Sequence, residues 1–306
     1  MMVNTRRRPP PARPGRACPL DAMHRNVLIL HKPVQALQPV VLDSPHSGYR
    51  FPTDFDAALS EFDLRDGEDC FIDELWLPAT TKGIPLLAAQ FPRTYLDPNR
   101  HAGDIDLALL NTPWPHAHQP SGKASIGKAL IWRTLDDGRP IYTRPLTVAE
   151  VAARIERYHR PYHQALRELM DRAHAQFGQV FHINCHSMNA VSGTMGEGGA
   201  GQARADVVLG DRDGTTCAPE FTVFVRDELA AKGYDVKVND PFKGVELVRA
   251  YSNPAAGRHS LQLEVNKRLY MDEATRQRHD GYARLQADLM ALLDAITARF
   301  GAGGRA

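Results

Sequence analysis

The chain has 306 residues, 43% of them apolar, which is enough for one large α/β domain or two small ones. Its 37 Lys and Arg against 36 Asp and Glu give a net charge of +1, which argues against a nucleic-acid surface as the main function. None of the apolar runs in the sequence is long enough to span a bilayer.

Residues 1–25 are rich in Arg and Pro and lack the apolar stretch of a secretory signal. This composition predicts a disordered leader, with Met23 as an alternative start and a basic nucleic-acid arm as a second interpretation. Cysteines are few, widely spaced and form no CxxC pair, so we expect reduced thiols and a cytoplasmic protein.

From Asn26 onward, apolar runs alternate with helical stretches, and we interpret residues 26–300 as one α/β domain and 301–306 as a disordered tail. Thr147, with Glu150 three residues later, predicts a capping box that opens a helix. Residues 108–140 form a long segment rich in Gly, Pro and His, a candidate lid. Strands are predicted at Val40–Leu42, Ile84–Ala89, Leu130–Trp132, Val180–Ile183, Ala205–Leu209, Tyr234–Val238 and Ser260–Val265, and further helices over Glu220–Lys232 and Asp272–Phe300.

Two histidines, His46 and His186, each follow an apolar strand-like run and precede a serine. Ligands of an open α/β sheet collect outside the carboxyl ends of its strands. Two strands that deliver imidazoles to this edge could share one metal ion, and zinc is the ion that such sites commonly hold. A third ligand would then come from the five carboxylates of the segment 66–76, among which spacing alone does not choose.

Charged residues further along the chain suit an acidic substrate. An Asn99-Arg100 pair could grip a carboxylate while Arg93 faces a developing oxyanion, although a solvated surface loop is an equal alternative. Lys243 and Arg249 add positive charge late in the chain.

Glu264 interrupts an otherwise buried type of strand, and this makes it the best candidate for a general base; the alternative is a buried salt bridge with Arg249 or Arg268. His159 and His163 lie four residues apart but lack the Glu of a zincin HExxH, so we do not interpret them as the catalytic metal site.

Taken in order, these motifs resemble the N-formylglutamate amidohydrolase (deformylase) family over about residues 38 to 275. Two departures stand out, since the family commonly has Leu at the position of Pro98 and often Asp at that of Asn184. The resemblance rests on residues 44–48, Asp69, Arg93, residues 97–100, residues 160–163, residues 185–187, residues 241–244 and residues 261–264.

The resemblance implies a fold like that of zinc carboxypeptidases and aspartoacylases, a mixed β-sheet flanked by helices on both faces. It implies one metal ion on His46, Asp69 and His186, zinc or alternatively another divalent metal, with Glu264 as the base. It also implies that Arg93 stabilises the oxyanion, while Asn99 and Arg100, with Lys243 and Arg249, bind the substrate's carboxylates.

The expected reaction is hydrolysis of N-formyl-L-glutamate to formate and L-glutamate, a step in histidine breakdown. One alternative is an amidase of similar fold acting on another N-acyl amino acid, a peptide or peptidoglycan. Another is a catalytically silent protein that binds an acidic ligand. Neither a nucleic-acid nor a membrane partner is expected.

Overall fold

Six of the predicted strands and one further strand at Leu28–His31 build a seven-stranded mixed sheet in the computed structural model, which describes residues 26–194 and 199–301. The predicted leader, and the predicted tail apart from Gly301, lie outside the described residues. The sheet order is β1-β3-β2-β4-β7-β5-β6, with β1 and β5 antiparallel to their neighbours β3 and β7 and the other pairings parallel. These strands are Leu28–His31 (β1), Val40–Ser44 (β2), Leu86–Ala89 (β3), Val180–Met188 (β4), Val207–Gly210 (β5), Val236–Val238 (β6) and Arg258–Asn266 (β7).

Helices cover both faces of this sheet, as the sequence resemblance predicts. One apolar core joins Leu42, Ile183 and Leu263 to helices α2 (Ile72–Trp76), α5 (Pro219–Ala231) and α7 (Gly281–Phe300). A second core joins Val41 and Leu87 to α3 (Val148–Arg154) and α4 (Arg160–Phe177). The other α-helices in the described ranges are the short α1 (Glu61–Leu64) and α6 (Glu246–Tyr251), and a π-helical turn at Ile155–His159 joins α3 to α4. None of the helices in the described part of the chain is long and apolar enough to cross a membrane.

Polar residues occupy one face of the two central strands, although both strands are buried throughout most of their length. Successive side chains of a strand point to opposite faces, so His182, Asn184 and His186 share the face opposite to Ile183 and Cys185. The strand register places Asn184 between Asp43 and Gln262, and His186 beside Glu264. This polar face leads to the carboxyl edge of the central strands.

Two local predictions are wrong. Leu130–Trp132 is not a strand but part of a bend that a single bridge between Lys128 and Trp132 closes. Its side chains are apolar because they pack in the second core. The helix predicted over Asp272–Phe300 begins only at Gly281, after a small hairpin of β8 (Met271–Asp272) and β9 (Gln277–Arg278). Asp272 Oδ1 accepts bonds from Thr275 N and Oγ1, which turns the chain there instead of continuing a helix.

The predicted capping box is confirmed at the start of α3, where Thr147 and Glu150 bond reciprocally. The Arg144 guanidinium and Thr147 lower the pKa of Glu150 from 4.5 to about 2. A carboxylate with a lowered pKa stabilises the fold above its unfolded pKa and loses that effect as the pH falls toward its folded pKa.

We therefore expect Glu150→Gln to lower the free energy of unfolding by about 0.5 kcal/mol at pH 7, because the group is partly exposed. The difference from wild type should shrink between pH 4.5 and 2, the range between the two pKa values. Denaturant titrations at pH 7 and pH 3 measure it, with Glu228→Gln on α5 as the control. An equal loss at both pH values would contradict this reasoning.

Candidate active site

The two predicted histidines meet at the carboxyl edge of β2 and β4. His46 follows the end of β2, His186 lies near the end of β4, and their ring centroids are 4.7 Å apart. The loop before α2 reaches them because Asp69 N donates to the carbonyl oxygen of His46, at 3.0 Å. All three residues are at most 3% exposed.

Asp69 is the carboxylate that the structure places against both imidazoles. Its Oδ2 lies 3.3 Å from His46 Nδ1 and 2.9 Å from His186 Nδ1. One ligand-type atom from each residue lies within 4.8 Å of the others, so these three residues (the His-Asp-His group) could hold a metal ion. Spacing left five carboxylates open, and the resemblance had pointed to this one.

The far nitrogens of both rings are held by hydrogen bonds. His46 Nε2 donates to Asp97 Oδ1 at 2.7 Å, and His186 Nε2 donates to Asn184 Oδ1 at 2.7 Å. Asn184 Nδ2 donates to the Asp43 carboxylate, which accepts only, and this fixes the orientation of the amide.

With Nε2 protonated in both rings, the two Nδ1 lone pairs face the Asp69 carboxylate. His46 Nδ1 is a buried nitrogen without a hydrogen-bond partner in the described part of the chain. A cation bound between the two Nδ1 atoms and the Asp69 carboxylate would give each of these groups a partner. Hydrogen bonds from the far ring nitrogen, like those of the two Nε2 atoms, are typical of metal-ligating histidines.

Burial and neighbouring charges set the protonation of these groups. Burial lowers the pKa of His186 despite the neighbouring Asp69 carboxylate, which keeps the imidazole in the neutral form that binds metals. Burial alone raises the pKa of Asp69, but its contacts with His186 and His46 outweigh this, and the pKa lies below its usual value. Both groups are therefore in their metal-binding forms near neutral pH.

Glu264 lies on the strand next to His186. The register of β4 and β7 pairs the two residues directly, so their side chains point to the same face. Glu264 lines the same cavity as the His-Asp-His group, is 8% exposed and accepts a bond from Gln262 Nε2 at 2.9 Å. The salt bridges considered from the sequence do not form, because Arg249 pairs with Glu246 and Arg268 with Asp206.

Arg93 reaches the cavity from the segment after β3. Its Nη2 donates to Asp97 Oδ2 at 2.8 Å, and its guanidinium lies 4.9 Å from the Trp132 ring centroid. Burial alone lowers the pKa of Arg93, but the carboxylates of Asp97 and Asp69 outweigh this effect and raise the pKa above its usual value. Asp97 thus links the oxyanion candidate to His46, a role that sequence reasoning missed although it quoted the residue.

Asn99 and Arg100 also line the cavity. Asn99 Oδ1 accepts from Leu247 N at 2.9 Å, so its Nδ2 faces Asn184 and His186. Arg100 Nε and Nη1 donate to the carbonyl oxygens of Lys128 and Asn99. Both side chains are therefore fixed by the protein at the cavity wall.

Lys243 and Arg249, which the sequence placed in the same anion pocket, do not line the cavity. Each is satisfied by a local carboxylate: Lys243 Nζ contacts Asp213 Oδ2 at 3.0 Å, and Arg249 Nη2 contacts Glu246 Oε1 at 2.8 Å. The Glu246–Arg249 pair has the i,i+3 spacing of a helix, a signal that the sequence already carried.

Among the described residues that line the cavity, of about 200 Å³, basic side chains outnumber acidic ones. Most of the basic residues in the cavity wall were not predicted from the sequence, because they lie in segments without a motif. The basic residues of its wall are Arg93, Arg100, Lys123, Lys128, Arg204 and Lys267, against the acidic Asp66, Asp69, Asp136 and Glu264. A cavity with this surplus attracts anions.

Gly48 lets the His46 loop pack against the chain that leaves β3. A β-carbon on Gly48 would lie 2.4 Å from the carbonyl carbon of Gln90 and 2.5 Å from Phe91 N. We expect Gly48→Ala to lower the free energy of unfolding by about 1–3 kcal/mol, because backbone atoms must move apart. Denaturant unfolding measures it. Gly122→Ala, which meets nothing within 4 Å, is the control, and equal stability of the two variants would contradict the close approach.

Fold and cavity together define an α/β protein with an enzyme-type site at the carboxyl edge of its sheet. The model of the family "N-formylglutamate amidohydrolase" matches residues 38–271. The chain therefore belongs to the N-formylglutamate amidohydrolase family.

Comparisons of the chain with individual proteins lead to the same family. The chain is 29% identical to N-formylglutamate deformylase of Pseudomonas putida, over 86% of this chain and 94% of the relative. It is also 29% identical to N-formylglutamate deformylase of Pseudomonas aeruginosa, over 77% and 83% of the two chains. A crystal structure of N-formylglutamate amidohydrolase from Ralstonia eutropha JMP134 is 46% identical, with a TM-score of 0.83, over 90% of this chain and 99% of that one.

Proposed function

We propose that this protein is a zinc-dependent amidohydrolase that converts N-formyl-L-glutamate and water to formate and L-glutamate. The observation that carries the proposal is the buried His-Asp-His group in a cavity whose described wall has more basic than acidic residues. The names of the Pseudomonas and Ralstonia relatives support the choice of substrate.

His46, Asp69 and His186 would hold the zinc ion, because neutral imidazole nitrogens and a carboxylate oxygen are ligands that zinc prefers. Three protein ligands leave a further position for water or substrate, as catalytic zinc sites do. When bound, the ion would supply Lewis acidity and lower the pKa of water.

Glu264 would carry the proton of the reaction. Its carboxylate accepts a proton from the attacking water and returns it to the nitrogen as the C–N bond breaks. Arg93, held by Asp97, would stabilise the negative charge that develops on the formyl oxygen.

Asn99 and Arg100 would bind the α-carboxylate of the substrate. Arg100 lines the cavity and is 6% exposed, so its charge favours an anion there. The hydrogen bonds to the carbonyls of Lys128 and Asn99 hold the guanidinium in place before the substrate arrives.

The test is to measure metal content and formate release for wild type and His186→Ala, with His174→Ala as a control on α4. Roughly one zinc per chain, and formate release that vanishes only in His186→Ala, is the expected result. Bound zinc without formate release would exclude this substrate and lead to other N-acyl amino acids. A protein that takes up no metal under any loading condition would overturn the mechanism.

A further inference from the structure

We propose that Arg204 and Lys267 bind the side-chain carboxylate of the substrate and make the site selective for N-acyl amino acids with an acidic side chain. This assignment rests on the proposed function. It concerns two residues that no motif of the sequence indicates.

Both cations are buried in the cavity wall and fixed by the protein. Arg204 is 8% exposed and Lys267 is 7% exposed. Lys267 Nζ donates to Asn189 Oδ1 at 2.9 Å, and the Arg204 guanidinium lies 5.0 Å from the Phe242 ring centroid. Arg204 N also donates to the carbonyl oxygen of Ala190, at 2.9 Å, which fixes the main chain.

The sheet order places these cations on the opposite side of the His-Asp-His group from Arg93 and Arg100. Those two arginines follow β3, whereas Lys267 follows β7 and Arg204 precedes β5. Strands β2 and β4, which carry the histidines, lie between β3 and β7. Three strand spacings of about 4.8 Å separate β3 from β7 by roughly 14 Å. Long side chains that extend into the cavity from both strands shorten the distance between their charged groups.

An N-formyl dicarboxylic amino acid has a matching shape. Its α-carbon is tetrahedral, so the formylamino group, the α-carboxylate and the side chain leave in three different directions. With the formyl group over the His-Asp-His group and the α-carboxylate toward Arg100, the third arm points to the β7 side. A carboxylate there would meet Lys267 and Arg204.

Charge balance favours Lys267 over the buried Lys128. Lys128 pairs with Asp136 in the cavity wall and lies 4.8 Å from the Trp132 ring centroid. Lys267, by contrast, donates to the neutral amide of Asn189. A buried cation costs free energy unless an anion meets it, and the substrate carboxylate would be that anion for Lys267.

The test compares kcat/KM for N-formyl-L-glutamate with that for N-formyl-L-glutamine, a substrate of the same size whose side chain is neutral. Wild type, Lys267→Gln and Arg204→Gln are measured, with Arg226→Gln on the exposed face of α5 as the matched control. We expect the preference for the acid over the amide to fall about 30-fold in each cavity variant, because a buried charge pair is lost. The amide substrate should change little, and the control should keep the wild-type ratio.

A merely structural role would lower kcat/KM for both substrates equally and leave their ratio unchanged. That result in both Lys267→Gln and Arg204→Gln would overturn the assignment. Lys267→Met serves in place of Lys267→Gln if the latter does not fold. A wild type that cleaves neither substrate would refute the proposed function itself, an outcome distinct from an active enzyme with an unaltered ratio.

Discussion

Glu264→Gln is expected to lower kcat by about 10²- to 10⁴-fold, the contribution typical of a general acid–base group. Glutamine has the same shape, and its amide oxygen can still accept the hydrogen bond from Gln262 Nε2. It cannot accept a proton from water at neutral pH. The rate of the chemical step should therefore fall while the fold of β7 is kept.

Metal content separates this role from that of a ligand. Glu264 is not a member of the His-Asp-His group, so the variant should bind as much zinc as wild type. Formate release and zinc content are measured on the same preparation, with Glu228→Gln on α5 as the control for a surface glutamate. Wild-type turnover in Glu264→Gln would disprove the role as base, and loss of zinc would make Glu264 a ligand instead.

The sequence predicts the core of the fold and the centre of the site for one physical reason. Buried strands are apolar, so a polar residue within one signals a function or a partner. His46, His186 and Glu264 all interrupt or end such runs, and the structure brings them to one cavity. Parallel strands share a carboxyl edge, which is why residues about 140 and 80 positions apart in the chain could be expected together.

Other parts depended on contacts that the local sequence does not record. Residues 272–280 contain good helix formers, yet the bonds from Thr275 to Asp272 turn the chain into a hairpin. Strand β1 pairs antiparallel at the sheet edge and is only four residues long, so it left no clear pattern.

Cations were the least predictable part of the site. Lys243 lies within a family motif and Arg249 a few residues after it, but each pairs with a carboxylate outside the cavity. Lys128, Arg204 and Lys267 lie in segments without a motif and reach the cavity only through the sheet order and the loops. The tertiary arrangement decides which side chains line a cavity, and residue type alone does not predict this.

Asp97→Asn is the second change from which we expect a large effect, because the Asp97 carboxylate accepts hydrogen bonds from both His46 and Arg93. It is fully buried, and Oδ1 accepts from His46 Nε2 at 2.7 Å and from Asn99 N at 2.9 Å. Its Oδ2 accepts from Arg93 Nη2 at 2.8 Å. Burial raises the pKa of Asp97, but Arg93 and His46 outweigh it and hold the pKa well below its usual range, so the group is ionised.

An asparagine has the same size but no charge and only one acceptor oxygen, so it cannot serve His46 and Arg93 together. We expect zinc affinity to fall about 10- to 100-fold, as it does when the outer partner of a ligating histidine is lost. The free energy of unfolding should fall by about 3 kcal/mol, because Arg93 would remain without its buried partner. The kcat should fall as well, since Arg93 would no longer be held toward the formyl oxygen.

Asp104→Asn is the matched control, because Asp104 is equally buried but bonds to Ser121 and does not touch His46. Competition with a chelator gives the zinc affinity, and denaturant titration gives the stability of both variants. Asp104→Asn should lose stability and keep its zinc affinity, whereas Asp97→Asn should lose both. If Asp97→Asn binds zinc as tightly as wild type, His46 does not depend on Asp97 for its orientation. The link between metal site and oxyanion arginine would then have to be abandoned.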